Sequence, residues 1–176
     1  KSVTTSRRSF LKTSAALGAA AALPSFSMRA AANKNSVVRM LHIGVGGIGG
    51  MQRGQLKNHK KVEFAFLCDV DSNPLKNIGR QFPKAKQFTD YREVFEKHLN
   101  EFDAVIVDTP DHHHAPMMTR ALAAGKHVYG QKPLVHQLDE LRMIREVLAK
   151  RPELYTQMGN QRACGTGRMQ AVEILK

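Results

Sequence analysis

The chain has 176 residues, 42% hydrophobic and 24% charged, a balance that excludes a disordered chain and suits one folded domain. Its 27 Lys and Arg against 15 Asp and Glu leave a formal charge of +12, which taken alone would invite a nucleic-acid partner. Eleven of the basic residues and no acid fall in residues 1–62, while the rest is nearly neutral, so the sequence predicts no nucleic-acid partner.

Residues 6–12 read Ser-Arg-Arg-Ser-Phe-Leu-Lys and precede the small-residue stretch Thr13–Leu23, then Pro24 and a polar segment ending Arg29-Ala30-Ala31-Ala32. A charged start, a short weakly apolar middle and an Ala-x-Ala end describe an export signal, and Arg7-Arg8 with Ser-Phe-Leu-Lys resembles a twin-arginine signal. Thr13–Leu23 has no polar face of helical period, which speaks against an amphipathic helix. We therefore expect residues 1–32 to be a signal cleaved after Ala32, 33–36 a linker, and the protein to be periplasmic or otherwise exported. No apolar run reaches the roughly 18 residues of a membrane span. Cys68 and Cys164 stand 96 positions apart without metal-ligand spacing, so neither a zinc site nor a disulfide framework is expected.

Beyond the signal, Val37–Val45 is a β-branched apolar run, as in a strand buried on both faces. Gly46 to Leu56 reads as a helix entered through glycines, and Val62–Cys68 as a second buried strand. Pro74 opens a helix in its first turn. Asp90–His98 is a further helix, with Asp90 as N-cap and Glu93 completing a capping box. Asp103–Asp108 is a third strand, Ala115–Ala124 a helix closed by Gly125, and His127–Tyr129 a short strand. Leu138–Lys150 places Leu138, Leu141, Ile144 and Leu148 on one helix face; Leu154–Met158 is a fifth strand and Arg168–Lys176 begins a last helix. Met117, Met118 and Met143 read as core filling, and Cys68 as packing. Alternating strands and helices predict an α/β chain with a doubly wound, Rossmann-type parallel sheet over residues 37–160.

Gly44-Val45-Gly46-Gly47-Ile48-Gly49 fits G-x-G-x-x-G between a buried strand and a helix. The first glycine makes the tight turn, the second lets a pyrophosphate approach, and the third permits close helix–strand packing. Free N–H groups at the helix start then face the phosphates. Asp69 ends the second strand 20 residues beyond Gly49, the spacing of a carboxylate that reaches the adenosine ribose. Asp71 competes for that role. With no Arg beside Asp69, NAD is favoured, NADP remaining open. Arg39, Arg53, Lys57, Lys60 and Lys61 cluster about this turn and are expected mostly to face solvent.

Two more blocks follow: Thr109-Pro110-Asp111-His112-His113-His114 after a strand, and Ala124-Gly125-Lys126-His127-Val128-Tyr129-Gly130-Gln131-Lys132-Pro133-Leu134. Three consecutive histidines invite a metal, but neighbours in a strand-to-helix turn diverge and no acid or Cys has ligand spacing to them; we expect none. Together with the glycine loop, the blocks resemble the N-terminal domain of the Gfo/Idh/MocA oxidoreductases, whose patterns are T-P-[N/D]-x-x-H and A-G-K-H-V-x-x-E-K-P. The resemblance runs from Val37 to the end of the chain.

That resemblance implies a nicotinamide cofactor held by Gly44, Gly46, Gly47, Ile48, Gly49, Asp69, Thr109, Pro110, Asp111, His114, Gln131 and Lys132. It makes Lys132 the catalytic residue, placed against nicotinamide and substrate to orient and polarise the reacting hydroxyl or carbonyl. An ordinary surface lysine is the plainer reading of the same residue. Gln131 departs from the family Glu, replacing a carboxylate with an amide beside Lys132. Asn160-Gln161-Arg162 resembles the start of the family's inter-domain region, so 161–176 is expected to open a region leading to a second α/β domain missing from this sequence. The resemblance further implies a sugar or polyol substrate, the twin-arginine export machinery as a partner, and a homo-oligomer in the full-length protein. The alternatives are an NAD-dependent glycoside hydrolase of the same family and a non-catalytic nucleotide- or sugar-binding protein.

Overall fold

The computed structural model describes residues 37–160 and 165–175; the export signal, the linker and residues 161 and 162 lie outside the described residues. The chain runs β1 (Val38–Ile43), α1 (Gly47–Leu56), β2 (Val62–Cys68), α2 (Ser72–Gly79), β3 (Lys86–Phe88) and α3 (Tyr91–Lys97). It continues through β4 (Ala104–Val107), α4 (His114–Ala123), β5 (His127–Gln131), α5 (Leu138–Ala149), β6 (Thr156–Gly159) and α6 (Thr166–Ile174). Every strand pair is parallel, in the order β3-β2-β1-β4-β5-β6. This is the doubly wound order, which reverses direction between β1 and β4 and opens a crevice at their carboxyl ends.

The alternation of the strands builds two cores, one on each face of the sheet. Leu41 and Ile43 of β1 pack with Phe66, Val105, Val107 and Val128 beneath α3, α4 and α5, through Val94, Phe95, Met118, Leu122 and Ile144. Met40 faces the other way, with Phe64, Leu67 and Ile106, against Leu75 of α2. Because both faces are covered, the strands read as continuous apolar runs rather than alternating ones.

The local signals explain most element ends. Gly125 takes the left-handed conformation (φ 75°) that ends α4. Asp71 caps α2 by accepting from the Asn73 N–H, and Asp90 caps α3 by accepting from Arg92. Glu93, in contrast, pairs with Lys97 one turn on instead of reaching back to Asp90, so no capping box forms there. The box lies on α5, where the Glu140 carboxylate accepts the Gln137 N–H at 2.8 Å.

Four further expectations change. β3 is an additional strand, three residues at the sheet edge, too short and polar to show a pattern. Leu138 is 75% exposed and Met143 51% exposed, because α5 turns Ile144, Val147 and Leu148 to the core instead. The sixth strand lies two residues later at its start than the apolar run beginning at Leu154. Arg53 is buried rather than solvent-facing, for reasons that concern the glycine loop.

Candidate functional site

A cavity of about 790 Å³ opens at the carboxyl ends of β1, β2 and β4. Its size lies in the range of small-molecule and cofactor clefts. Gly44, Gly46, Gly47 and Ile48 line one wall, Asp69 and Val70 the next, and Asp108, Thr109 and Pro110 a third. Gly44 turns the chain out of β1 at φ 85°, and a Cβ there would come 2.6 Å from the Asp108 carbonyl oxygen. Only glycine tolerates both demands. At Gly49 a Cβ would overlap the Gly44 carbonyl oxygen and approach His42 Nε2 at 2.9 Å, which is why α1 can press onto β1. Nothing lies within 4 Å of a Cβ built on Gly47, so that backbone is open to a ligand.

Of the two carboxylates, Asp69 is the one bonded to the glycine loop. Its Oδ2 accepts the N–H groups of Val45 (2.9 Å) and Gly46 (3.3 Å), and its Oδ1 accepts the Asp71 N–H at 3.0 Å. The carboxylate thus steadies the loop; Oδ2 is taken up by two donors, while Oδ1, with one, keeps a lone pair open. Asp71 is committed to the α2 cap. Thr89, Asp90, Tyr91 and Arg92 line the cavity near the end of β3, a contribution that local pattern did not mark.

Beneath the loop, Arg53 donates to the carbonyls of Val45 (3.0 Å) and Gly49 (3.4 Å), with its guanidinium 5.8 Å from the Phe82 ring centroid. Burial pulls its pKa down from the ordinary value, and the Asp108 charge opposes that. His42 Nε2 lies 2.9 Å from Asp108 Oδ2, both side chains fully buried. Burial drives the His42 pKa down, against the pull of Asp108, and its Nδ1 has no hydrogen-bond partner. The imidazole is therefore neutral and donates from Nε2 to the carboxylate. The clue was a polar residue set among the apolar residues at the carboxyl half of β1, Met40, Leu41 and Ile43.

The other expected site residues sit outside the cavity lining. Asp111 is exposed in a single 3-10 turn, Asp111–His113, and His113 rather than His114 faces the cavity. His114 is fully buried, its Nδ1 2.7 Å from the Pro133 carbonyl oxygen and its Nε2 2.7 Å from that of Thr109. It ties the turn after β4 to the segment after β5. Gln131 is buried and its Oε1 accepts the Lys132 N–H at 2.7 Å; the Lys132 side chain is exposed, before a cis Pro133. Among the described residues no three His, Cys, Asp or Glu side chains are placed to hold a metal ion.

The geometry fits a dinucleotide: an open glycine turn at a helix N-terminus, a loop-bound carboxylate and a cleft at the sheet's switch point. Residues 4–24 match the twin-arginine translocation signal, so the chain carries an export signal of that pathway. It is 34% identical over 161 residues to a "Glycosyl hydrolase family 109 protein" of Shewanella pealeana, covering 76% of this chain and 35% of that protein. An "Alpha-N-acetylgalactosaminidase" of Shewanella oneidensis is 32% identical over 118 residues, with 62% and 25% covered. The chain thus spans about a third or less of the length of these curated relatives. Among solved structures, myo-inositol 2-dehydrogenase from Lactobacillus plantarum superposes with a TM-score of 0.72 at 25% identity, covering 80% of this chain and 41% of that one. The fold is also shared with scyllo-inositol dehydrogenase from Lactobacillus casei, with bound NAD(H) and scyllo-inositol, at TM-score 0.71, 20% identity and the same coverage. Residues 38–158 match the Gfo/Idh/MocA oxidoreductase family, NAD-binding Rossmann fold, and the chain belongs to that family.

Proposed function

We propose that this chain is the cofactor-holding part of an exported enzyme that passes hydride between a nicotinamide and a carbon of a sugar or polyol. The observation that carries the reading is the shared cavity of Gly44, Gly46, Gly47, Asp69, Thr109 and Pro110 at the switch point of the sheet. The α1 N-terminus at Gly47 and Ile48 would hold the pyrophosphate, the Val45 and Gly46 N–H groups being taken up by Asp69, and Asp69 would accept from the adenosine ribose while opposing a 2′-phosphate. NAD is accordingly the preferred form. When bound, the nicotinamide supplies a hydride acceptor and donor at one carbon. Lys132 is the catalytic residue of this reading: in reduction its ammonium would give a proton to the carbonyl oxygen as hydride arrives at the carbon, and in oxidation its neutral amine would take the hydroxyl proton as hydride leaves.

A second reading is supported by the glycosidase relatives: sugar release through transient oxidation and re-reduction by the same bound cofactor, with no net redox change. Twin-arginine export carries folded proteins, so loading before export and retention of the cofactor fit either reading.

The test uses the whole protein. We expect it to purify with NAD or to take it up on incubation; a folded protein that does neither overturns both readings. Net NADH formation with a sugar or polyol identifies a dehydrogenase, whereas release of sugar from a glycoside without net NADH identifies a glycosidase. Lys132→Ala is expected to abolish turnover in either case while leaving dinucleotide binding within about threefold.

A further inference from the structure

Gln52, on α1, is buried, with its amide between Asp108 at the end of β4 and Gln131 at the end of β5. The charge of Asp108 sets the orientation of that amide, because an amide oxygen cannot bond to a carboxylate oxygen. With its nitrogen toward Asp108, Gln52 donates to Oδ1 and Oδ2 at 3.1 Å each, and its oxygen accepts from Gln131 Nε2 at 2.9 Å. Gln131 then presents its own oxygen to the Lys132 N–H at 2.7 Å. The strand register brings the ends together, since Val107 of β4 pairs with Gly130 of β5. Hydrogen-bond polarity therefore runs one way, with Lys132 donating to Gln131, Gln131 to Gln52 and Gln52 to Asp108. His42 holds the far end.

We propose that Gln52 is a positioning residue that fixes the Gln131–Lys132 backbone against the dinucleotide-binding helix, and that the buried Asp108 carboxylate imposes an amide at position 131. The part concerning Lys132 rests on the role given to it above. A glutamate at 131 would present only acceptors, and the Gln52 nitrogen already faces Asp108. Its oxygen would then meet a second carboxylate, with like charges close together under low dielectric. The Glu of the family pattern is compatible with this interior only if residue 108 gives up its charge. Asp108→Asn would permit that: Gln52 turns over, accepts from the amide placed at position 108 and donates to the carboxylate placed at position 131. The polarity between Gln52 and its two partners is then reversed.

The experiment follows the Lys132 amide resonance of the ¹⁵N-labelled chain, thermal midpoints and NADH affinity across Gln131→Glu, Asp108→Asn, the double variant and Gln52→Met. Gln131→Glu and Gln52→Met are expected to move the Lys132 amide resonance and weaken NADH binding by about tenfold. The double variant is expected to bind NADH within about threefold of the unmodified chain, better than Gln131→Glu alone. Additive effects of the two substitutions, or a Lys132 resonance unmoved by Gln52→Met, overturn the proposal. Should Gln131→Glu fail to fold, recovery of folding in the double variant supports the same coupling, and failure of both, with an unmoved resonance in Gln52→Met, overturns it. A chain that binds no NADH refutes the cofactor reading separately, because the resonance and the midpoint coupling still decide the relay.

Discussion

His42 Nε2 stands 2.9 Å from Asp108 Oδ2 with both side chains fully buried, joining β1 to β4 directly under the glycine loop. Burial keeps the imidazole pKa below its ordinary value of 6.5, although Asp108 and Asp69 pull it up; Arg53 pushes it further down. The unfolded chain takes up a proton near pH 6.5 that the native chain refuses, so this contribution to stability is present above 6.5 and is lost as pH falls below it. Thermal midpoints from pH 7.5 to about 5 are expected to decline, and His42→Gln to decline less over that interval, whatever its absolute stability.

Gly44→Ala introduces a side chain at positive φ and 2.6 Å from the Asp108 carbonyl. Gly49→Ala sets one against Gly44 and His42. Each is expected to destabilise the chain by about 1–3 kcal/mol and to abolish measurable NADH binding, followed by urea unfolding and calorimetry. Gly47→Ala retains near-native packing space but still carries positive φ (46°), so it is expected to lie between them and the unmodified chain.

Asp69→Ala removes an acceptor from two loop N–H groups and, on the proposed reading, the ribose partner. Charge-assisted hydrogen bonds are worth about 1.5–3 kcal/mol, or roughly tenfold to a hundredfold in NAD affinity. Binding of NADP is expected to suffer less, because the carboxylate that opposes a 2′-phosphate is gone. Parallel titrations with the two dinucleotides measure the change in preference.

Arg53→Met keeps much of the packing against Phe82 but leaves the Val45 and Gly49 carbonyls without their guanidinium donor. The expected loss is about 1–3 kcal/mol, with faster amide hydrogen exchange in the glycine loop than in β5. Unchanged loop exchange would remove Arg53 from the support of that turn.

The Cys68 thiol is buried at the end of β2 and pushed up to about 12, first by burial and then by Asp69 and Asp90. It is expected to resist iodoacetamide in the native chain near pH 8 and to react after denaturation, as followed by the mass of its peptide.

Much of this protein is written locally. The apolar runs ending in Ile43, Cys68 and Val107 identify buried parallel strands, because both of their faces meet helices. The glycine spacing at 44, 46 and 49 and the carboxylate at 69 identify the turn and its partner, since their chemistry depends on a short stretch of backbone and one neighbouring strand. β3 left no such trace because three edge residues have no period.

The sequence by itself determined the order of the helices and of every strand but β3, the export signal, the family and the glycine turn, because each is encoded in contiguous residues or short spacings. Only the tertiary structure decided which buried polar atoms meet. His42 and Asp108 are 66 positions apart, and Gln52 finds Gln131 only because strand order sets β4 between β1 and β5. The same packing buried Arg53, which the sequence placed mainly toward solvent, and put His113 instead of His114 on the cavity. Hydrogen-bond pairing across the sheet depends on register and burial, and neither is a property of a local segment.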